Sequence, residues 1–387
     1  MKTPLFAIAL FLAALLLHGC TNQAQPALER VVVDIQTMST AHLSGLGRYE
    51  RFVALESVDE ALLGSIDAVK LSAEGHFLVG DFRASLKIYR FDENGRFLTA
   101  YGNKGEGPGE WAYLSGFEIF PGGQILAVSP RKLSLFDPDG SFLKQVHLPY
   151  FADESHRLGE HIYLRTAPTG RNRLSREIVV FDRHLAEVTS MHPFDRRIQI
   201  LSYLPVNSMA ATHHGLYVAE RFDFGLTLYD LEHRPQAYFP FPNQNQANGD
   251  RWQVKPKTDW DLQQMVMGLH RTHAIYAFDE GLFVLEIHGQ RRIFRANLLD
   301  PAQQVMFRFD ELPLFRTEND AFLPPGKIVG AYERGIIGVL DNPELFERHR
   351  SNYPGLDKLS YSIESNPILL FLDLNMPSKD GKKEPAS

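Results

Sequence analysis

Apolar and polar residues alternate over most of the chain, in paired runs that are separated by short turns. Residues 86–102, LKIYRFDENGRFLTAYG, and residues 133–149, LSLFDPDGSFLKQVHLP, each contain an alternating run, an acid, a turn and a second alternating run. Alternation with a period of two predicts strands, and the Asn-Gly and Asp-Gly pairs at 94–95 and 139–140 favour tight hairpin turns. Each segment therefore predicts a β-hairpin.

Six copies of this unit follow one another along the chain. The acid or amide after the first strand of each hairpin is found at Asp92, Asp137, Asp182, Asp230, Asn297 and Asp373. A glycine turn and a short apolar strand precede every copy, so two independent signals agree on six units. The even spacing of the first three acids fits one four-stranded blade of a β-propeller. We therefore predict an all-β fold, a six-bladed β-propeller over residues 48–374 with four strands in each blade.

The ends of the predicted propeller indicate how the ring closes. The sixth hairpin lacks a second strand, because the residues after Asp373 are polar and contain proline. Residues 48–57, RYERFVALES, alternate like a strand and precede the first complete unit. An open propeller leaves two exposed strand edges, which favour aggregation. We predict that this N-terminal strand completes the last blade and closes the ring.

Three further segments depart from the repeat. Residues 243–272 form an insertion between units four and five, and their two tryptophans are typical of either a lid over one face or a loop packed on the blades. Residues 341–350 predict a short helix that Asn342 caps. The polar residues 375–387 predict a disordered C-terminal tail.

The first nineteen residues predict export. A lysine at position 2 precedes an apolar run from Leu5 to Leu17 that is too short to cross a bilayer comfortably, and this pattern is typical of a signal peptide. No later stretch approaches the length of a membrane-spanning segment. We therefore predict a signal peptide over residues 1–19.

Cys20 follows this segment directly and is the only cysteine of the chain, so it has no partner for an internal disulfide. Its position resembles the lipobox of bacterial lipoproteins, in which the cysteine is acylated and becomes the new N-terminus. The alternative is a plain secretory signal with an incidental cysteine. On the lipobox interpretation, residues 20–47 are a lipidated linker, and the protein is anchored to a membrane of the bacterial cell envelope, either on the periplasmic side of the outer membrane or at the cell surface.

Charge excludes one class of partner. The chain carries a formal net charge of −7, and its lysines and arginines form no stripe. Proteins that bind nucleic acids neutralise phosphates with clustered positive charge. We therefore expect no nucleic-acid partner.

Residues 51–111, which begin RFVALESVDE and end GNKGEGPGEW, resemble the six-bladed β-propeller lipoproteins of Bacteroidota and related bacteria, which are similar to NHL-repeat propellers. The resemblance is closest over residues 51–149 and extends more loosely to about residue 374. It implies an extracytoplasmic propeller and no particular activity. In this family the stretch that corresponds to Gly105 to Glu110 joins the first blade to the second.

The glycine-rich segment 102–111, GNKGEGPGEW, also invites comparison with phosphate-binding loops. A phosphate loop needs Gly-x-x-x-x-Gly-Lys-Ser/Thr between a strand and a helix, and neither the motif nor a following helix is present. The sequence therefore predicts a connection between blades, with glycines that permit unusual dihedrals. Lys104, Glu106 and Glu110 remain candidates for the border of a binding surface.

Charged residues after the predicted inner strands are the other candidate binding residues. They are Asp81, Arg83, Arg165, Glu220, Arg221, Glu286 and His288. Such positions commonly point toward the centre or rim of a propeller, although charges at strand ends are more often simply solvated. The face and the channel of the ring are therefore the candidate functional surface.

Catalytic and metal-binding motifs are weak. No Gly-x-Ser-x-Gly elbow occurs, and His213-His214, His270 and His273 have no predictable partner geometry for zinc. We predict no catalytic residue, cofactor or metal. The leading hypothesis is a binding module for a polar small molecule or a protein partner. The alternative is an extracytoplasmic hydrolase or lyase, metal-dependent or not, with its site in the channel.

Overall fold

A computed structural model describes residues 28–38, 47–166, 176–193, 207–220, 225–241, 271–288, 293–309, 327–353 and 355–377. Within these residues, six small sheets of four or five strands form the blades of a propeller. In every blade the four main strands are antiparallel neighbours, ordered from the inner strand at the channel to the outer strand at the rim. The predicted all-β, six-bladed β-propeller is therefore confirmed.

Three strands precede the first blade in the chain: β1 (Glu29–Arg30), β2 (Asp34–Met38) and β3 (Gly47–Ala54). Blade 1 contains β4 (Ala68–Leu71), β5 (Phe77–Asp81), β6 (Lys87–Phe91) and β7 (Phe97–Tyr101). A small pair, β8 (Asn103–Lys104) and β9 (Glu110–Trp111), leads to blade 2. Blade 2 contains β10 (Gly116–Ile119), β11 (Ile125–Ser129), β12 (Lys132–Phe136) and β13 (Phe142–His147).

Blade 3 contains β14 (Ala152–Leu158), β15 (His161–Thr166), β16 (Arg176–Phe181) and β17 (Glu187–Pro193). Blade 4 contains β18 (Met209–Thr212), β19 (Gly215–Ala219), β20 (Gly225–Tyr229) and β21 (Pro235–Pro240). Blade 5 contains β22 (Arg271–Phe278), β23 (Gly281–His288), β24 (Ile293–Asp300) and β25 (Val305–Phe309). Blade 6 contains β26 (Lys327–Tyr332), β27 (Gly335–Leu340) and β28 (Ile368–Leu374), with β3 as its outer strand.

In blades 1 and 3 the recurring acid holds the hairpin turn between the third and outer strands. In blade 1 the Oδ1 atom of Asp92 accepts hydrogen bonds from the backbone N–H groups of Asn94 and Arg96, at 2.9 and 2.8 Å. Asp182 binds the turn of blade 3 in the same way. A short acid suits this position because its side chain satisfies turn N–H groups that the strands leave unpaired.

Ring closure occurs as predicted. Strand β3 pairs antiparallel with β28, from Gly47 opposite Leu374 to Ala54 opposite Ile368. The N-terminal strand thus supplies the outer strand that the last unit lacks. Closure holds the two ends of the propeller together through backbone hydrogen bonds and removes an exposed edge.

Two strands lie in the segment predicted as a linker. Strand β1 adds to the outer edge of blade 4 and β2 to that of blade 5, both in parallel orientation. Val31 and Val33 are buried against these blades, whereas Val32 between them is 84% exposed. Part of the predicted linker, residues 29–38, thus contains two short strands, and lipidation of residues 20–47 stays a prediction. Alternating valines provide one apolar face, which covers strand edges that would otherwise remain open.

The core is divided among the junctions between blades. Phe77 of blade 1 and Phe371 of blade 6, for example, are both buried with ring centroids 5.6 Å apart. Each blade therefore contributes apolar side chains from both faces, and the ring forms one packed unit.

The predicted helix is present as α1 (Pro343–His349), and the side chain of Asn342 accepts hydrogen bonds from the N–H groups of Glu344 and Leu345. No helix of the described residues combines the length and hydropathy that crossing a membrane requires. Of the predicted insertion and tail, residues 243–270 and 378–387 lie outside the described residues, as do the signal peptide and Cys20.

Candidate functional site: the central channel

The six inner strands surround a central channel with a volume of about 800 Å³. One mouth is formed by the connections between blades and by loops such as residues 82–86, and we call it the loop face. The other mouth lies on the side of the ring that carries the hairpin turns, such as residues 72–76 at the channel and residues 92–96 at the rim, and we call this side the turn face. Polar side chains from blades 1 to 3 line one wall of this channel.

A buried carboxylate links three blades at this wall. Glu118 of β10 is 3% exposed. Its Oε2 atom lies 2.7 Å from Nζ of Lys70 in β4, and its Oε1 atom accepts a hydrogen bond of 2.8 Å from Ser155 in β14. The ammonium group of Lys70 also lies 5.6 Å from the ring centroid of Phe117. Lys70 retains partial access to the channel, with 29% of its side chain exposed.

His156 follows Ser155 on the same wall. Its Nε2 atom accepts a hydrogen bond of 3.1 Å from the backbone N–H of Ala211 in blade 4. Burial, followed by the positive charge of Lys70, lowers the pKa of His156 to about 4, while Glu118 opposes this shift. The imidazole is therefore neutral near pH 7, and because Nε2 accepts, the proton resides on Nδ1.

Five small residues line the channel opposite the polar wall, on blades 4 to 6. They are Ala210, Ala211, Ala277, Gly330 and Ala331. Blades 4 to 6 also contribute larger residues to the lining, namely Asn207, Met209, Tyr276, Val329, Tyr332 and Glu333. All the charged residues that line the channel except Glu333 belong to blades 1 to 3.

Hydrogen bonds also connect the other blade junctions beside the channel. They join Glu154 with Ser208, Asn207 with Ile275, Tyr276 with Ile328, and Lys327 with Asp67. Glu154 is almost fully buried, and burial raises its pKa despite the bonds from Ser208 and Met209. The polar atoms in these contacts are already hydrogen-bonded within the protein. The contacts therefore hold the inner strands of adjacent blades together.

Asp81, the first of the predicted binding residues, organises a loop. Its side chain is fully buried and accepts hydrogen bonds from the N–H groups of Gly64 and Ala84 and from Ser65 Oγ, at 2.8 to 2.9 Å. Burial raises its pKa, but these bonds outweigh burial, and the net shift is downward. The carboxylate thus holds two loop segments of the loop face together.

Of the other predicted residues, those that the structure describes are not among the residues that line the channel. Arg83 is exposed and pairs with Asp67 at 3.3 Å. Arg165 is fully buried, pairs with Glu177 and donates to the carbonyl of Ala219.

Glu220 and Glu286 likewise interact within the protein. Glu220 accepts a hydrogen bond of 2.6 Å from Thr227, and Glu286 lies 4.0 Å from Arg308. Arg221 and the side chain of His288 lie outside the described residues. A binding role for the predicted loop-face residues stays a prediction.

The glycine-rich connection folds back on itself. Gly102 adopts a left-handed φ of +73°, and a Cβ atom there would lie 1.9 Å from the indole of Trp111. Trp111 is buried and its Nε1–H donates to the carbonyl of Leu86 at 2.8 Å. Glu110 accepts from the N–H of Gly107 at 2.9 Å. The predicted blade connection is confirmed, and the tryptophan fills its interior.

Lys104 and Glu106 of this connection are exposed on the loop face. Glu110 is half-buried and is engaged in the loop itself. A border of a binding surface at these positions stays a prediction.

The polar residues of the channel wall were missed from the sequence. Lys70 and Glu118 lie within short apolar inner strands, whereas the candidates from the sequence lie at strand ends and in loops. One sequence signal could have found them. Lys70 precedes Gly75 by the same number of residues as Glu118 precedes Gly123, so the two residues occupy equivalent positions in adjacent units. Opposite charges at equivalent positions of adjacent units predict a pair across a blade junction.

Histidines, thiols and carboxylates do not gather into a metal centre in the part of the chain that the structure describes, where no group of three was found. His213 and His214 lie at the turn that follows β18 on the turn face. His273 lies in β22, and His270 is outside the described residues.

Comparison with known proteins places the chain in a family. The model of the family described as "Domain of unknown function (DUF4934)" matches residues 30–373, and the chain belongs to this family. No curated protein matches the sequence.

Among solved structures, a protein of Bacteroides fragilis NCTC 9343 described as exported is 18% identical, with a TM-score of 0.65 over 88% of this chain and 100% of that chain. BamB from Moraxella catarrhalis is 12% identical, with a TM-score of 0.40 over 67% of this chain and 66% of that chain. The first of these similarities supports the propeller fold and nothing finer. The resemblance to lipoproteins and to NHL-repeat propellers stays a prediction.

Proposed function

We propose that this member of the DUF4934 family is an exported, lipid-anchored propeller that binds a small polar ligand in its central channel. Export and anchoring are supported by the signal-like residues 1–19 and by Cys20 in a lipobox-like position. The binding role is supported by one observation above all, the Glu118 carboxylate that is buried in the channel wall between Lys70 and Ser155.

The presence of a buried ion pair does not by itself show that the pair stabilises a protein. Removing two charges from water costs several kcal/mol per ion in typical proteins, and well-packed apolar residues often serve stability as well or better. The wall formed by blades 4 to 6 includes small apolar residues such as Ala277 and Ala331, and all the charged residues that line the channel except Glu333 lie on blades 1 to 3. A cavity with a few convergent polar groups is typical of a site that recognises a ligand.

Native mass spectrometry of the protein purified from its own membrane tests the binding role. We expect the wild-type protein to carry a bound small molecule that is lost in an Ala331→Trp or Ala277→Trp variant, because the indole occupies the channel. Tyr113→Trp is the matched control, since Tyr113 is 72% exposed. Thermal unfolding checks that each variant is folded. A molecule that remains in both channel variants, or no bound molecule in the wild type, contradicts the proposal.

Anchoring is tested separately by metabolic labelling with palmitate. We expect the wild-type protein to incorporate the label and to fractionate with membranes, and a Cys20→Ser variant to do neither. Unlabelled wild-type protein would show that the lipobox interpretation is wrong, whatever the outcome for the channel.

A further inference from the structure

Two groups on the polar wall each retain an N–H without an acceptor in the part of the chain that the structure describes. The first is Nδ1–H of His156, since Nε2 of that ring already accepts from Ala211. The second is the ammonium group of Lys70, which has three N–H groups and uses one on Glu118. Both residues line the channel.

The charged residues that line the channel are four acids, Asp67, Glu118, Glu154 and Glu333, and two bases, Lys70 and Arg157. Lys70 and Arg157 carry positive charges beside the channel, and both act on His156 in the direction that keeps its ring neutral. Glu118 opposes them, but its two oxygens are occupied by Lys70 and Ser155.

The other acids near the polar wall are also engaged. Glu154 binds Ser208 and Met209, and Asp67 pairs with Lys327. Glu333 also lines the channel and is exposed at the turn face, beyond the end of β26. Apart from Glu333, the acids that line the channel are therefore already engaged by other groups of the protein.

A carboxylate matches this arrangement chemically. It offers two acceptor oxygens and a full negative charge, and charge-assisted hydrogen bonds from an ammonium group are about twice as strong as neutral ones. The small residues of the opposite wall leave room for the uncharged remainder of such a ligand. A neutral amide, in contrast, supplies one acceptor and two donors, which the two wall donors do not complement.

We propose that the channel ligand carries a carboxylate, which Lys70 Nζ and His156 Nδ1–H bind at the wall formed by blades 1 and 3. This inference rests on the proposed channel-binding function and names the ligand class that the site selects. Lys70 supplies the positive charge. His156, which the N–H of Ala211 fixes as the Nδ1–H tautomer, supplies a directional hydrogen bond that orients the carboxylate.

Acetate and acetamide provide a matched pair of probes, because they have nearly the same shape and differ in charge. The full mature chain, labelled with ¹⁵N, is titrated with each probe at constant ionic strength, and the imidazole resonances of His156 are followed by NMR. We expect a saturable shift with acetate, a weaker one or none with acetamide, and none when chloride replaces acetate.

Variants identify the groups responsible. Lys70→Met removes a charge-assisted bond, so acetate affinity is expected to fall about tenfold or more. Lys70→Arg is expected to retain most of the affinity, and Lys144→Met, an exposed site outside the channel, all of it. If Lys70→Met does not fold, Lys70→Gln replaces it in the comparison. Wild-type-like acetate binding in the folded Lys70 variants would overturn the inference.

The probes also separate the two proposals. Equal shifts with acetate and acetamide would overturn carboxylate selection while leaving a channel that binds polar ligands. No saturable shift with acetate would also overturn the carboxylate inference. The channel-binding proposal itself would then be decided by native mass spectrometry. Loss of the bound molecule in the Ala331→Trp variant would support it, and retention would contradict it.

Discussion

The carboxylate of Glu118 in blade 2 lies 2.7 Å from the ammonium group of Lys70 in blade 1, beside the central channel. The glutamate side chain is 4% exposed and the lysine side chain 29% exposed, so the pair lies at the boundary between protein and channel. Ser155 brings blade 3 to the same carboxylate. Three blades therefore meet at one charged group in the wall of the channel.

Lys70→Met is expected to lower the free energy of unfolding by about 2 kcal/mol, because it leaves a buried carboxylate without its cation. The double variant Lys70→Met/Glu118→Leu is expected to recover part of the loss, since neither charge is then buried alone. Denaturant unfolding measures both values. The exposed Lys144→Met serves as control, and a loss of the same size there would contradict a specific role for the pair.

Stability should also depend on pH through His156. Its pKa is about 4 in the folded protein because of burial and Lys70, whereas an unfolded histidine titrates near 6.5. Between these values the unfolded chain binds a proton that the folded protein does not, so the free energy of unfolding falls as the pH is lowered from about 6.5 to about 4.

His156→Gln is expected to flatten the pH dependence in this window, and denaturant unfolding at several pH values measures the slope. The exposed His147→Gln is the control and is expected to leave the slope unchanged. Equal slopes in the wild type and His156→Gln would show that His156 is not the group that titrates.

The blade connection offers a comparison of two glycines. Gly102 and Gly75 have similar left-handed φ angles, +73° and +81°, but only at Gly102 would a Cβ atom meet another group, the indole of Trp111. Alanine in a left-handed conformation costs about 1 kcal/mol at either position. We expect Gly102→Ala to destabilise the protein by a further 1 kcal/mol or more. Equal losses in denaturant unfolding would contradict the packing described for Trp111.

Substitutions at three adjacent valines test whether the N-terminal strands β1 and β2 pack on blades 4 and 5. Val31 and Val33 are 5% and 7% exposed, whereas Val32 is 84% exposed. Truncating either buried valine to alanine should lower the free energy of unfolding by about 1.5 kcal/mol, from the apolar surface that is no longer buried. Val32→Ala should change it by less than about 0.5 kcal/mol. Similar effects at all three positions would mean that residues 29–38 do not pack on blades 4 and 5.

Local patterns made the fold predictable. The hairpins, the turn acids such as Asp92 and the closing strand β3 depend on alternation and turn chemistry within a few residues. Strands β1 and β2 were missed because they contain no hairpin partner in sequence and pair with distant blades. Their only local signal was the alternation of Val31 and Val33.

The candidate site was less predictable, for a physical reason. Charges at strand ends, such as Asp81 and Arg165, were chosen as ligand contacts, but the structure engages them in loop and blade contacts. Lys70 and Glu118 are far apart in sequence and meet only because adjacent blades align their inner strands. Such contacts follow from the packing of one blade against the next, which short-range patterns do not specify.

The most direct test of the central claim is a high-resolution crystal structure of the protein purified from its own membrane. The account predicts density for a small molecule in the channel, with an acceptor oxygen within about 3.2 Å of Lys70 Nζ and of His156 Nδ1. A channel that contains only water, in crystals that hold the co-purified molecule elsewhere on the propeller, would contradict it.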